Sequence, residues 1–510
     1  MLARLTRLTS ARRNPRPVAL ALVLTAAAIF GGLASAATGA QKDDAATAPI
    51  PPIAAPLADA APTAAPPGDP ATTATEQTQA AQPEAPPPVN PELKARLDGS
   101  GAAIVAGQRI RLELLRRFYA ARNYDTVWDK HADAVKALLA AIGRADEHGI
   151  DPNLFHAAFL QQRGASLTPL DRELLVSDAV LGFADALARG AVPVEERPRT
   201  EALTPGPIDL VAVVDKVLAA PDPGQELEAL APQTPEYAAV QRAYAAARAP
   251  TQSQPHYGRR TPAQGSDYQR RQLAVALERL RWLPRHLPAT RLWVNTEDAH
   301  LDFYRDGNRV FSTRVVVGEV DKQTPEFETH TPTVLFNPPW YVPRSIAAKE
   351  IMPKLAYNPG YLAQHHMSWH GGTIRQDAGP YSALGRIKFE MPDPFDVYLH
   401  DTPSRGIFAS ADRRRSHGCV RVENPVRLAS LLLNEDEAMV SRGVEAGYTH
   451  QQRLAKPVPV FIVYQTVSVD PSGRVQFLPD HYGRDALIWS LLNRSSEPAV
   501  EQIALNRPRS

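Results

Sequence analysis

The sequence predicts an α+β chain in which a helical first part is followed by a mainly-β second part. Three observations carry that prediction. Apolar residues recur at helical spacing between about Pro91 and Ala249, and after Trp282 the period changes to two. Two of the alternating segments are separated by Asp306-Gly307, a strong hairpin signal. At roughly 150 residues per domain, 510 residues suggest about three units, and 44% apolar content is ordinary for a globular chain.

The first 36 residues hold Arg4, Arg7, Arg12, Arg13 and Arg16 and no acid. An uncharged stretch from Val18 to Phe30 and then Ala34-Ser35-Ala36 complete the order of a secretory signal peptide. An uncleaved leader would instead be a membrane tether, since the 20 residues from Val18 to Ala37 are long enough to span a bilayer. Setting those five arginines aside leaves 51 basic against 55 acidic residues. A mildly acidic body argues against nucleic acid as a partner, because phosphate binding needs clustered Lys and Arg.

Residues 37–92 are expected to be a disordered linker. Thirteen of the 48 prolines fall between Pro49 and Pro91, among Ala and Thr, and such a segment buries too little apolar area to offset its ordering entropy. Residues 93–249 read as a helical scaffold domain. Ile110, Leu114, Leu115 and Phe118 recur at helical spacing, as do Val135, Leu138, Leu139 and Ile142, with Gly149 placed to stop the second helix. Leu174, Leu175, Val180, Phe183 and Leu187 repeat the pattern before Gly190. A linker at 250–266, broken by Pro255, Gly258 and Pro262, precedes a helix predicted over Asp267–Trp282.

Strands are predicted at Leu292–Val294, Leu301–Tyr304, Val310–Val317, Thr333–Phe336, Val397–His400, Val458–Val469 and Val475–Leu478. A helix over Pro425–Leu433 has Asn424 in the capping position and proline first. The β domain thus runs from 267 to 484, with 485–510 as a C-terminal tail.

The one cysteine, Cys419, can form no internal disulfide. In an exported chain a single thiol suggests that the sulfur itself is used. It lies in Ser416-His417-Gly418-Cys419-Val420-Arg421-Val422, and His400 closes a predicted strand nineteen positions earlier. A free thiol with a pKa of about 8.5 is only slightly ionised at neutral pH; an adjacent imidazole lowers that pKa or takes the proton as attack begins. Gly418 lets the backbone approach a substrate and present N–H groups to an oxyanion. His400, His417 and Cys419 are also zinc-ligand types, but no carboxylate or second thiol stands at a familiar ligand spacing, so neither metal nor cofactor is expected. Arg413 to Arg415 read as a solvated charged loop.

At these residues the sequence resembles the L,D-transpeptidases with a YkuD-type catalytic domain, whose signature is a histidine, a spacer, then Ser/Thr-His-Gly-Cys-x-Arg/Asn. The match also takes in Tyr398-Leu399-His400-Asp401, Leu277-Glu278-Arg279-Leu280-Arg281-Trp282-Leu283-Pro284, Val317-Gly318 and the run from Asn337 to Ile346. This pattern is similar to the large periplasmic subgroup that forms 3-3 crosslinks in peptidoglycan. The peptidoglycan-binding insert usual in that subgroup is lacking; only the short 250–266 segment occupies its place.

The resemblance implies that Cys419 is the acyl-accepting nucleophile and His400 its general base, with the ring oriented by the main chain of Asp401. It places His417 and Gly418 at the oxyanion site and Arg421 against a substrate carboxylate, with Ser416 beside them on the substrate side. Trp340 and Tyr341 would open a lid over about 340–387, in which Tyr357, Tyr361, Trp369 and Tyr381 either wall the peptide groove or pack internally. The implied location is the periplasm. The implied partners are peptidoglycan stem peptides, as donor and acceptor, together with proteins of cell-wall synthesis. The implied reaction is 3-3 crosslinking with release of D-Ala. Alternatives on the same residues are an L,D-carboxypeptidase, a crosslink-cleaving or protein-attaching acyltransferase, and a wall-binding scaffold without turnover.

Overall fold

The computed structural model describes residues 87–99, 103–248 and 264–493. The leader at 1–36, the linker as far as residue 86, residues 249–263 and the chain after 493 lie outside the described residues.

The helical domain is built around the helix Pro169–Arg189, which starts where the Thr168 hydroxyl accepts from Asp171 N at 3.1 Å and stops at Gly190, φ +98. Its apolar residues point all round, so it can only be central. The helices Leu112–Ala120, Ala132–Gly143 and Leu210–Ala219 pack against it. Its polar residues are paired accordingly: Glu173 accepts from Tyr119 Oη at 2.7 Å and from the N–H groups of Val127 and Trp128, and Asp178 holds His156 at 2.9 Å. Gly149 does not stop the helix that runs to Gly143. It ends the short turn Ala145–His148 with φ +73, where a Cβ would lie 3.1 Å from Ala274 of another helix.

The second half contains strands β1 (Arg291–Asn295), β2 (His300–Arg305), β3 (Asn308–Gly318), β4 (Phe327–Phe336), β5 (Trp340–Tyr341), β6 (Met367–His370), β7 (Thr373–Gln376), β8 (Ile387–Phe389), β9 (Leu399–His400), β10 (Arg414–Ser416), β11 (Val420–Val422) and β12 (His450–Val463). Nine of these form one sheet in the order β10-β3-β11-β9-β8-β4-β12-β1-β2, and β2 also pairs with β3, so the sheet closes on itself. The turn from β2 to β3 is Asp306-Gly307, both residues at positive φ as a tight hairpin requires. One face of the sheet is apolar, with Leu292, Val315, Val334, Phe389, Leu399 and Val420 in a common core onto which Leu428 and Leu432 of the helix Pro425–Leu433 pack. Asn424 stands before that helix but does not cap it; its amide donates to Thr313 Oγ1 at 3.0 Å.

Residues 340–376 form a separate small layer, β5, β7 and β6 in a three-stranded sheet with short helices over Val342, Ile351 and Ile374, and the expected lid segment ends where Ile387 enters β8 of the main sheet. The strand expected over Val458–Val469 is broken. Gln465 N turns to Asn295 Oδ1 at 3.0 Å and the Thr466 hydroxyl to Asp485 at 2.8 Å, and the chain resumes as β13 (Val467–Val469), paired only with β14 (Val475–Phe477).

The helix Gln264–Arg281, expected to belong to the β domain, puts Leu273, Ala274 and Leu277 into the helical core, together with Phe461 and Val463 of β12. The expected tail is also corrected: Arg484–Leu492 is a helix, and Ile488 and Leu492, one turn apart on one face, enter the same core. This junction is fastened by buried ions. Arg281 donates to Glu278 Oε2 at 2.6 Å, His148 O at 2.8 Å and Tyr237 Oη at 2.9 Å. Glu278 also accepts from Val192 N at 2.8 Å and Trp282 Nε1 at 3.0 Å. Arg279 joins Glu201 at 3.0 Å, Glu326 at 3.7 Å and Asp485. Residues 200–202 run alongside Glu326, with Ala202 N donating to its carbonyl at 2.9 Å. The Glu278-Arg279-Leu280-Arg281-Trp282 run is therefore the fastening between the two halves.

Candidate active site

The site is assembled by the parallel pairing of β9 with β11, in register Leu399↔Val420 and His400↔Arg421. Side chains alternate along a strand, so Leu399 and Val420 enter the core while His400, Cys419 and Arg421 share the other face. Tyr398, two residues before His400, falls on that face as well. Its ring lies edge-on to the imidazole at a centroid distance of 5.5 Å. Lys388 of β8 is directly opposite His400, with its ammonium 4.4 Å from the centre of the Tyr398 ring. Lys388, His400 and Arg421 thus form a row across three strands.

Cys419 is half-buried, and its thiol donates to Asp396 O at 3.7 Å. Among the described residues no hydrogen bond joins it to His400. The protein packed around the sulfur pushes its pKa up, against the pull of Tyr398 and Lys388 toward the thiolate. His400 is buried and is driven down to about 3, first by loss of solvent and then by Arg421, although the main-chain groups of Asp401 and Leu384 favour its protonation. Its Nδ1 is buried without a hydrogen bond. At neutral pH the pair is therefore a thiol beside a neutral imidazole.

The loop before the nucleophile is held from within. The Ser416 hydroxyl donates to Cys419 O at 2.6 Å and accepts from Gly418 N at 3.1 Å. Two expectations change as a result. Ser416, 2% exposed, clasps the loop and does not face substrate, and the Gly418 N–H is engaged by it. Gly418 has φ +119, a conformation other residues adopt only with strain, and a Cβ there would meet nothing closer than 3.9 Å. The backbone, not space, requires glycine.

His417 is exposed and hydrogen-bonds Glu350, which sits in a π-helical turn, Ala347–Ile351, of the 340–376 layer. Hence His417, His400 and Cys419 do not gather as ligands; among the described residues no group of three His, Cys, Asp or Glu could hold a metal. The Trp340 side chain lies close enough to Tyr398 to act on its hydroxyl, which places it beside the catalytic face. Tyr341 alternates away from Trp340 along β5, is 52% exposed and lies against His370. Tyr361 packs into the small core of this layer, whereas Tyr357, Trp369 and Tyr381 are exposed. Arg421 has no hydrogen-bond or ion-pair partner among the described residues, and its Nε is buried.

Lys388 and Glu350 escaped the sequence reading, and Tyr398, quoted within the match, was given no role there. Strand alternation from His400 could have found Tyr398. Lys388 and Glu350 arrive from other elements and carry no local signal.

A closed β-sheet with a thiol and an imidazole on one face, fastened to a helical domain, defines a class of two-domain α+β chains. Within it, residues 289–460 match the L,D-transpeptidase catalytic domain family, YkuD, and residues 113–243 match the Scaffold domain family. The chain thus carries a YkuD-type L,D-transpeptidase catalytic domain behind a Scaffold domain. A relative from Haemophilus influenzae, named "Putative L,D-transpeptidase", is 33% identical over 252 residues, which are 44% of this chain and 51% of that protein. The chain therefore spans about half the length of the curated relative it matches. Similar solved structures include the catalytic domain of the E. faecium L,D-transpeptidase acylated by ertapenem, with 14% identity, TM-score 0.20, covering 35% of this chain and 99% of that one. Another is L,D-transpeptidase 3 of Mycobacterium tuberculosis, with 11% identity, TM-score 0.20, covering 34% and 61%.

Proposed function

We propose that this protein is an exported peptidoglycan L,D-transpeptidase that forms 3-3 crosslinks through a thioester on Cys419. The observation that carries the reading is the shared sheet face of β9 and β11, with a thiol, a neutral imidazole and an unpaired guanidinium on neighbouring positions. Cys419 attacks the carbonyl on the L-centre of meso-diaminopimelate in a tetrapeptide stem. His400 takes the thiol proton as the C–S bond forms and hands it to the departing amine of D-Ala. The side-chain amine of a second stem then attacks the thioester, and its proton returns through His400 to the sulfur.

A raised thiol and a lowered imidazole favour proton transfer during attack over a preformed ion pair. The unpaired Arg421 suits a carboxylate of the donor stem, which would supply its missing acceptor. Trp340 stands beside the same face, next to Tyr398.

The test is intact-protein mass spectrometry after incubation with tetrapeptide stems, followed by muropeptide analysis of the products. A Cys419 adduct and 3-3 dimers are expected. Active, reduced protein without an adduct would reject the scheme. Trimmed tripeptides or released protein in place of dimers would move the acceptor to water or to a protein amine.

A further inference from the structure

The loop between β3 and β4 reaches the nucleophile from outside the motif. Thr324 is fully buried, and its hydroxyl accepts from Gly318 N at 2.9 Å and donates to Gly418 O at 2.7 Å. Gly318 leaves room for this arrangement, since a Cβ there would stand 2.1 Å from Lys322 O and 2.8 Å from Thr324 N. The loop is pinned from behind. Arg484 donates to Thr324 O at 2.9 Å and to Gln323 Oε1 at 2.9 Å, and Tyr482 Oη donates to Gly318 O at 2.7 Å.

A trans peptide is planar, and its C=O and N–H point in opposite directions. Drawing the Gly418 carbonyl inward to Thr324 therefore turns the N–H of Cys419 outward, on the side of the catalytic face. The Gly418 N–H is engaged by Ser416, so the orientation of this one peptide decides whether the loop offers a donor to a carbonyl under attack.

We propose that Thr324 is a positioning residue that orients the Gly418–Cys419 peptide so that the Cys419 N–H stabilises the oxyanion. This deepens the transpeptidase reading and rests on it only for the identity of the natural substrate. As sulfur bonds to the carbonyl carbon, the π pair moves to oxygen, and that N–H receives the charge until the pair returns and the leaving group departs. Thr324 itself touches no substrate.

The experiment compares two reactions of Cys419 in Thr324→Val and Thr324→Ser. Acylation by p-nitrophenyl acetate develops an oxyanion, whereas alkylation by iodoacetamide does not. Thr324→Val should slow acylation by about 100-fold and leave alkylation within about twofold of the wild type, the loss of one oxyanion donor. Thr324→Ser, which keeps the hydroxyl, should restore acylation. Equal slowing of both reactions, unchanged acylation in Thr324→Val, or failure of Thr324→Ser to recover would overturn the proposal. If Thr324→Val does not fold, Thr324→Ala removes the same hydroxyl and is judged by the same ratio. A wild type that reacts with the ester but forms no adduct with tetrapeptide would sink the transpeptidase reading and leave the role of Thr324 to be decided by that ratio.

Discussion

The domain junction and the catalytic face both bury charged or titratable groups, and they treat them in opposite ways. At the junction Arg279 and Arg281 are fully buried and surrounded by Glu201, Glu278, Glu326 and Asp485. On the catalytic face Arg421 lacks a partner and His400 keeps a buried nitrogen without a hydrogen bond. Single atoms go without a hydrogen bond at the junction too, among them Arg279 Nε, Glu201 Oε2 and Glu326 Oε2, but each belongs to a group that an opposite charge faces. What distinguishes Arg421 is a guanidinium with no ion pair among the described residues, beside a thiol and an imidazole.

The largest effects should come from exchanging the kinds of damage. His400→Gln should slow acylation of Cys419 by about 10²–10⁴-fold, the usual contribution of a general base, with a melting temperature close to the wild type. Arg281→Met should do the reverse. It leaves Glu278 without its guanidinium and should cost about 3–5 kcal/mol of stability, while any folded fraction acylates normally. Denaturant titration and single-turnover acylation on both variants test the contrast; if each lowers both quantities alike, the division between fastening and site fails.

A smaller effect concerns pH. Because His400 is lowered from the ordinary value to about 3, it stays neutral well below pH 6.5, and kcat/KM should show no acid limb near 6.5. A limb at that pH would mean that the imidazole is solvated.

The smallest effect lies at the junction. Burial raises Glu326 to about 7, and Glu201 adds to the rise against Arg279 and Arg484. The folded state then holds a proton that the unfolded state releases above about 4.5, so the stability it gives is complete below that pH and is lost as pH rises through 7. Glu326→Gln should remove a slope approaching one proton from the stability curve between those values, as urea unfolding at several pH values would show.

Local features of the fold were legible in the sequence. Asp306-Gly307 could be read as a hairpin because the turn needs two residues at positive φ, and the helix before Gly190 because its apolar run is long. The break at Tyr464–Thr466 was not legible, since the residues that end the strand, Asn295 and Asp485, are supplied from elsewhere. The same division holds at the site. The motif names the thiol and imidazole, but it does not tell whether Ser416 points to substrate or inward, which depends on a three-residue turn. Thr324 and Glu350 come from 94 and 67 residues away and leave no trace beside Cys419.

The pinning of Thr324 by Arg484 has a consequence for synthesis. The side chain that holds the Thr324 loop from behind is encoded sixty-five positions after the nucleophile, so a chain still emerging from the ribosome possesses its thiol long before it possesses a shaped site. Nascent or truncated chains ending before Tyr482 would carry the sulfur beside an unbraced Thr324 loop, and competence would arrive only with the helix Arg484–Leu492.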